Sequence, residues 1–337
     1  MSLLSGFRLA SLNLFNYLAP PGAYYEQANI YSALEWQRKQ GWLHRYLAEL
    51  APDVVAMQEV FSPNALAQQC HALGLTHFVC LDQAKQDEFV HFSPPVALAS
   101  RFPIRQARLV HPDPRVLQWL ALPDFAFSRH PLWVELNLPG FGPLQLVVVH
   151  LKSARPDLPD PPQDDSPLSQ LWLRPRLGHW HSAQQRGQEA AVLMATLALQ
   201  ARPGPLVVLG DFNDQPQSET LRLFQRSLRR PLLPPGWGMS EQALEAHLAQ
   251  WALADGFELA KAQGSRSAPV PTHYWGPHGS RIDHVLLSGD FDSAAPQSLA
   301  SVADAWVADR HLVRPDGEAD RQCSDHAAVV MDIEVRH

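Results

Sequence analysis

The chain has 337 residues, 46% of them hydrophobic and 18% charged, with a formal net charge of −7. That composition supplies a large globular core and excludes a disordered or low-complexity chain. The acidic balance argues against broad, sequence-independent contact with duplex phosphates, while leaving room for a local basic groove. No apolar run approaches the roughly 18 residues of a membrane span. The three cysteines, Cys70, Cys80 and Cys323, lie in mostly apolar surroundings, as core thiols of a reducing compartment do. The start "MSLLSGFRLASLNLF" has no basic n-region, sustained apolar core or cleavage site of a signal peptide. A cytoplasmic protein is expected.

In chain order, "FRLASLNLFN" (7–16) alternates apolar and polar residues and predicts a strand. From Leu34 to Leu50, the positions Trp42, Leu43, Tyr46, Leu47 and Leu50 recur at helical spacing, and Pro52-Asp53 ends that helix. Strands are expected at 54–61, 94–100, 132–138, 144–151, 205–210, 283–288 and 327–335, and a second helix at 183–200. Residues 154–182, rich first in Pro and Asp and then in Trp, Arg and His, predict an exposed loop. A further loop is expected at 229–240, "RRPLLPPGWGMS". There is no internal repeat. Several strand pairs have no helix between them, so the pattern suits a two-sheet α/β sandwich better than a βαβ-repeat parallel sheet.

Polar residues competent for metal or phosphate follow many of these apolar runs. They are Asn13 in "SLNLFN", Glu59 in "MQEVF", and His150 with Lys152 in "VVVHLKS". Asp211 with Asn213 in "LGDFND", Asp283 with His284 in "RIDHVLL", and Asp325 with His326 in "CSDHAAVV" complete the set. Taken singly, each has a plain explanation: Asp and Asn favour turns, and a Glu or His at a strand end is ordinarily solvated or hydrogen-bonded. Together, at the ends of strands long enough to build a core, they converge more naturally on one site.

The ordered set "SLN", "QEV", "HLKS", "GDFND", "RIDH" and "SDH", with "ASRFPI" (99–104) between the second and third, resembles the endonuclease/exonuclease/phosphatase superfamily, the DNase I-like fold. The resemblance runs from about residue 7 to residue 335. It implies one catalytic domain over 1–337, a β-sandwich flanked by helices in four α/β/β/α layers, with the 154–182 segment as a loop insertion. It also implies hydrolysis of a phosphoester by in-line attack of water, with Mg²⁺ as cofactor and Mn²⁺ as the alternative. Glu59, Asn13 and Asp325 are then the metal residues, since Mg²⁺ takes few protein oxygens plus water and substrate. Asp211 orients or deprotonates the water, and Asn213 donates to the phosphate. His326 binds a non-bridging oxygen as a cation, with Asp283 on its other ring nitrogen. His150 donates to the phosphate or the leaving oxygen.

Lys152, Arg129 and Arg186 are candidate phosphate contacts, against strand-edge solvation or ordinary salt bridges. His284 is expected to pack, and Asp214 to cap the next turn. One departure stands out: where the apurinic-endonuclease branch carries an acid two residues after the first Asn, this chain has Phe15, followed by Asn16.

Loops choose the substrate. Trp172, Trp180, Trp237 and Trp275 fall in expected loops near Arg174, Arg176 and Arg281, an arrangement that stacks bases and holds a strand backbone or simply packs on the sandwich. The leading expectation is a phosphodiesterase or nuclease acting on nucleic acid, single-stranded or structured, or on nucleotides. The alternative is a phosphomonoesterase for a soluble phosphorylated metabolite or inositol phosphate. A lipid phosphodiesterase and a non-catalytic binding member rank lower, and no obligate protein partner is evident.

Overall fold

The structure, a computed structural model, describes residues 4–158, 166–200, 204–225, 236, 238, 240–244 and 252–336. Two six-stranded sheets form its centre. In spatial order the first runs Ala300–Ala308, Ala328–Val335, Gly6–Tyr17, Val54–Val60, Ala97–Ser100, His77–Val79. The second runs Ala254–Asp255, Asp283–Leu287, Leu206–Asp211, Gly142–His150, Leu132–Leu138, Ile104–Leu109. Each sheet contains a parallel pair near its middle: Gly6–Tyr17 beside Val54–Val60, and Gly142–His150 beside Leu206–Asp211. The polar residues at the ends of these four strands therefore emerge in two side-by-side pairs.

Strand alternation explains the layers. On the first sheet Phe7, Leu9, Val54, Ala56 and Leu98 face inward, and on the second Val134, Leu146, Val148, Val207, Leu209 and Val285 meet them in one apolar core. The alternate residues of the first sheet, among them Ala10, Leu12, Val55 and Met57, pack beneath Trp42, Leu43, Tyr46 and Leu47 of the Ala33–Leu50 helix. Val147, Val149 and Val208 of the second sheet pack beneath Val192, Leu193 and Leu197. The result is the mixed α/β, DNase I-like fold in four layers. A strand buried on both faces reads as a continuous apolar run, which is how "LVVVH" and "LVVLG" appear.

The first helix is set locally. Ser32 accepts from the Glu35 amide while the Glu35 carboxylate accepts from the Ser32 amide, a complete capping box, and Ala51 closes the other end at φ 46°. The second helix departs from expectation. It spans Arg174–Gln200, preceded by a π-helical turn at Ser169–Leu173, so 169–182 is helical and the expected loop ends earlier. Pro175 favours a break, because a proline ring clashes with the carbonyl four residues back. The π turn directly before it re-routes the ladder, with the Arg174 amide bonded to the Ser169 carbonyl. Gly178 lets the preceding loop lie against the helix: a Cβ there would stand 2.8 Å from Pro156 Cβ.

Other departures are short. The strand at Ala300–Ala308 and the hairpin of His273–Trp275 with His278–Ser280 have no counterpart among the expected elements. Residues 159–165 of the Pro/Asp-rich segment, and most of the expected loop at 229–240 with Trp237, lie outside the described residues.

Two glycines behave oppositely under substitution. Gly210, at φ 143°, would place a Cβ 2.0 Å from the Val149 carbonyl oxygen across the parallel pair. Gly210→Ala should lower the urea-unfolding free energy by at least about 2 kcal/mol through backbone strain and strand separation. Gly187 sits in the long helix, where an added methyl would meet nothing within 4 Å. Gly187→Ala should raise the same quantity by about 0.5–1 kcal/mol.

Candidate active site

Sheet register builds half of the site. His150 is paired with Asp211 across the parallel strands, and Asp211 with Asp283 across the antiparallel ones. Paired residues share a face, so these three side chains stand in one row. His150 Nε2 lies 3.5 Å from Asp211 Oδ2. From the opposing sheet, Asn13 pairs with Gln58, and the register shifts just beyond. There Phe15 and Asn16 adopt φ of 53° and 56°, and Glu59 61°. Left-handed backbone at non-glycine residues is strained, and it clusters where the surroundings hold it. The Phe15 amide donates to Asn13 Oδ1 at 3.0 Å, and the Asn16 amide to Glu59 Oε2 at 2.8 Å.

Asn13 then joins the sheets. Its Nδ2 donates to Asp211 Oδ2 at 3.1 Å and faces Glu59 Oε1 at 3.4 Å. The third contribution is the 324–326 segment. Ser324 Oγ donates to the Asn13 carbonyl at 2.6 Å and accepts the His326 amide at 3.0 Å. His326 Nδ1 is 2.8 Å from Asp283 Oδ2, so its Nε2 points inward, 4.0 Å from both Asp211 Oδ2 and Asp325 Oδ1. Two trios bring ligand-type atoms within 4.8 Å of one another among the described residues: Asp211, Asp283 and His326, and His273, Asp325 and His326. Glu59 belongs to neither; Asn13 connects it to Asp211.

The electrostatics follow from crowding. Burial raises the Asp211 carboxyl to about 7, with the nearby Asp283 adding to it and His326 opposing. Burial also raises Asp325 against the pull of His326. For His326, burial opposes the charged ring, but Asp283, Asp211 and Asp325 together outweigh it and hold the imidazole well above its ordinary range. His150 goes the other way. Burial, then Arg129 and His326, keep its ring well below the usual value and therefore neutral.

The remaining sequence candidates take outlying places. The Asn213 amide donates to Asp211 Oδ1 at 2.8 Å, and its side-chain Nδ2 to the Leu151 carbonyl at 3.0 Å. The Lys152 ammonium pairs with Asp157. Arg186 is buried and spans Asp214 Oδ2 at 3.3 Å and the Lys152 carbonyl at 3.2 Å, so it braces the loop and does not enter the cleft. Arg129 reaches the Leu151 carbonyl at 3.5 Å with its Nε buried and lacking a partner among the described residues. His284 packs edge-on against Phe212 and meets the Asp214 carbonyl at 2.9 Å. Trp172, Trp180 and Trp275 are exposed, and Arg176 stacks over Trp172. Arg281 instead pairs with Asp255 at 2.8 Å.

Sequence reasoning missed the residues that hold these in place. Glu189, buried in the long helix, accepts the Ser128 amide and hydroxyl at 2.8 and 2.5 Å and the Lys152 amide at 2.7 Å. It thereby fixes both segments that flank Arg129 and His150. Its only sequence signal is a charge on the helix's apolar side. Ser324, preceding "DH", gives none.

The profile of the Endonuclease/Exonuclease/phosphatase family matches residues 27–326. The chain belongs to that family, whose members are phosphoester hydrolases. No curated protein matches it. Among solved structures it is similar to an endonuclease/exonuclease/phosphatase from Beutenbergia cavernae DSM 12333, at 19% identity and TM-score 0.54 over 98% of this chain and 72% of that one. The human Nocturnin catalytic domain with bound sulfate aligns at 16% identity and TM-score 0.55, over 100% and 97%. The Neisseria 3' phosphatase NExo bound to a product DNA hairpin aligns at 18% and 0.50, over 98% and 100%. At these identities the likeness is one of fold.

The carboxyl of Asp211, raised to about 7 against an ordinary 3.8, sets a pH signature. Between those values the folded chain holds a proton that the unfolded chain has released, so stability falls as pH rises through that window. The raised His326 extends the fall, because its contribution is full below its unfolded value and lost as pH rises through the folded one. In chelator, thermal unfolding across about pH 4 to 7 should show wild-type stability falling relative to Asp211→Asn by about 1–3 kcal/mol, a difference from which the opposing contribution of the depressed His150 largely cancels because it is present in both proteins.

Proposed function

We propose that the protein is a divalent-cation-dependent phosphodiesterase acting on nucleic acid or nucleotides. The observation that carries this reading is the buried Asp211, set between Asn13 of one sheet and His150 of the other, with His326 Nε2 opposite. A phosphoryl group needs that combination: a base for water on one side and a cationic donor for its oxygens on the other.

The donor set fits a hard cation. Asp325 Oδ1 and Asp283 Oδ1 are buried with no hydrogen-bond partner among the described residues, and carboxylates in this number repel one another unless a positive charge joins them. Glu59 and Asp325 would hold the ion through oxygen ligands of the kind Mg²⁺ takes, and Asn13 would join them by turning its amide oxygen, now bonded to the Phe15 amide, toward it. Such an ion, when bound, neutralises charge on the phosphoryl oxygens.

The chain's own groups then divide the work. Asp211 orients a water and accepts its proton as the oxygen attacks phosphorus and the bond to the leaving oxygen breaks on the far side. His326, kept charged by Asp283, binds a non-bridging oxygen through Nε2. His150 is neutral, so it offers an N–H as a hydrogen-bond donor to phosphate or leaving oxygen without surrendering a full proton. Asn213 retains one amide hydrogen beyond the one given to Leu151. Lys152 and Arg129, on the segments that Glu189 holds, would add contacts to the phosphate. Fold neighbours include a 3' phosphatase bound to product DNA and a Nocturnin domain holding sulfate, which supports a phosphate-recognising cleft.

The test compares a generic aryl phosphodiester with its monoester, in Mg²⁺, Mn²⁺ or chelator. Diester hydrolysis should exceed monoester hydrolysis, vanish with chelator, and fall by about 10²–10⁴-fold in Asp211→Asn. A preference for the monoester would make the protein a phosphomonoesterase of the same site. Hydrolysis that persists in chelator would overturn the cation assignment.

A further inference from the structure

The Ala33–Leu50 helix buries a lysine on its apolar side. Lys39 is 2% exposed, among the largest fully buried side chains of the protein. It forms no ion pair among the described residues. Its ammonium instead lies over two rings, Phe15 and Tyr31, each with the centroid 5.5 Å away. A buried, unpaired ammonium is costly, and ring faces offset only part of that cost.

The position of those rings shows what else sustains the charge. Phe15 belongs to the left-handed turn whose amides bind Asn13 Oδ1 and Glu59 Oε2. Lys39 therefore lies against the ring of a residue whose own amide is bonded to Asn13, one of the residues proposed to hold a cation. Burial pulls its ammonium down to about 8, and it is the fields of Asp325 and Glu59 that oppose the fall. Coulomb interaction is mutual. If these carboxylates stabilise Lys39, then Lys39 reduces the negative potential that they present to an incoming ion.

We propose that Lys39 is a positioning residue of the cation site: a resident charge that, acting through Glu59 and Asp325 across the Phe15 ring, weakens divalent binding. This rests on the reading that Glu59, Asn13 and Asp325 form a cation site. Phe15 contributes by placing a ring, and no oxygen ligand, between the lysine and that site. A lysine that merely filled space would behave in the opposite way, because its loss would loosen the turn carrying Asn13 and Glu59 and so weaken the binding of the ion.

The experiment titrates the full chain with Mn²⁺ alone, followed by calorimetry. Wild type should bind Mn²⁺, and Glu59→Gln should lose most of that binding. Lys39→Met, which keeps the length and removes the charge, should bind Mn²⁺ on the order of tenfold more tightly. Lys39→Gln should shift the same way and serves if the methionine variant does not fold. Unchanged or weaker binding in the Lys39 variants, with Glu59→Gln still defective, overturns the role of Lys39 and leaves the cation site standing. A wild type that binds no Mn²⁺ removes the cation site itself, and this inference with it.

Discussion

A single carboxamide, that of Asn13, spans the gap between the two sheets where their carboxylates face each other. Its nitrogen donates to Asp211 on one side and faces Glu59 on the other, while its own oxygen is held by the Phe15 amide. Acidic groups brought this close out of water repel one another strongly, since the interior screens them far less than solvent does. A neutral donor tolerates them where another carboxylate would not. The Ser324 hydroxyl, bonded to the Asn13 carbonyl, couples the third segment to the same residue. The site's three sources meet around one amide.

Much of the remaining structure keeps that meeting in register. The close approach at Gly210 lets the parallel strands carrying His150 and Asp211 lie side by side. Glu189 gathers the amides of Ser128 and Lys152 on the rim. Phe15, Asn16, Glu59 and Asn213 all have positive φ, at roughly 1–3 kcal/mol each. Such strain persists because these residues sit at strand ends, where hydrogen bonds to site carboxylates or to Asn13 offset it. Rigidity at the site is distributed over the sheets, the long helix and the turn beneath Phe15.

Charge balance provides a second constraint. Of the acids, Asp211, Asp283 and Asp325 are answered from within the chain by His326, and Asp325 and Glu59 by the field of Lys39. His150 is kept out of this balance by burial. The acidic net charge of the whole chain says little about this; what matters is that the positive groups are few, fixed and buried.

Local patterns make much of this legible. Apolar runs ending in Asp, His or Glu mark the strands and their polar ends, and helical spacing ended by Pro52-Asp53 marks the first helix. The motifs "GDFND", "RIDH" and "SDH" are recognisable because each is compact. The helical stretch before residue 182 is not legible, since Pro175 and Gly178 break helices in isolation and only the π turn and the packing of Pro156 make them compatible with one. Glu189, Ser324 and Lys39 are equally hidden. Each acts across distances in sequence that no local window covers, and a charged residue on a helix looks the same whether it ends in water or beneath an active site. Residue order alone thus specifies which chemical groups are present and at which strand ends they stand. That those ends face each other, that Arg186 turns away to brace a loop, and that a buried lysine lies in the field of the acids are matters of the folded chain. Convergence depends on sheet order and register, and these are properties of strands pairing at long range.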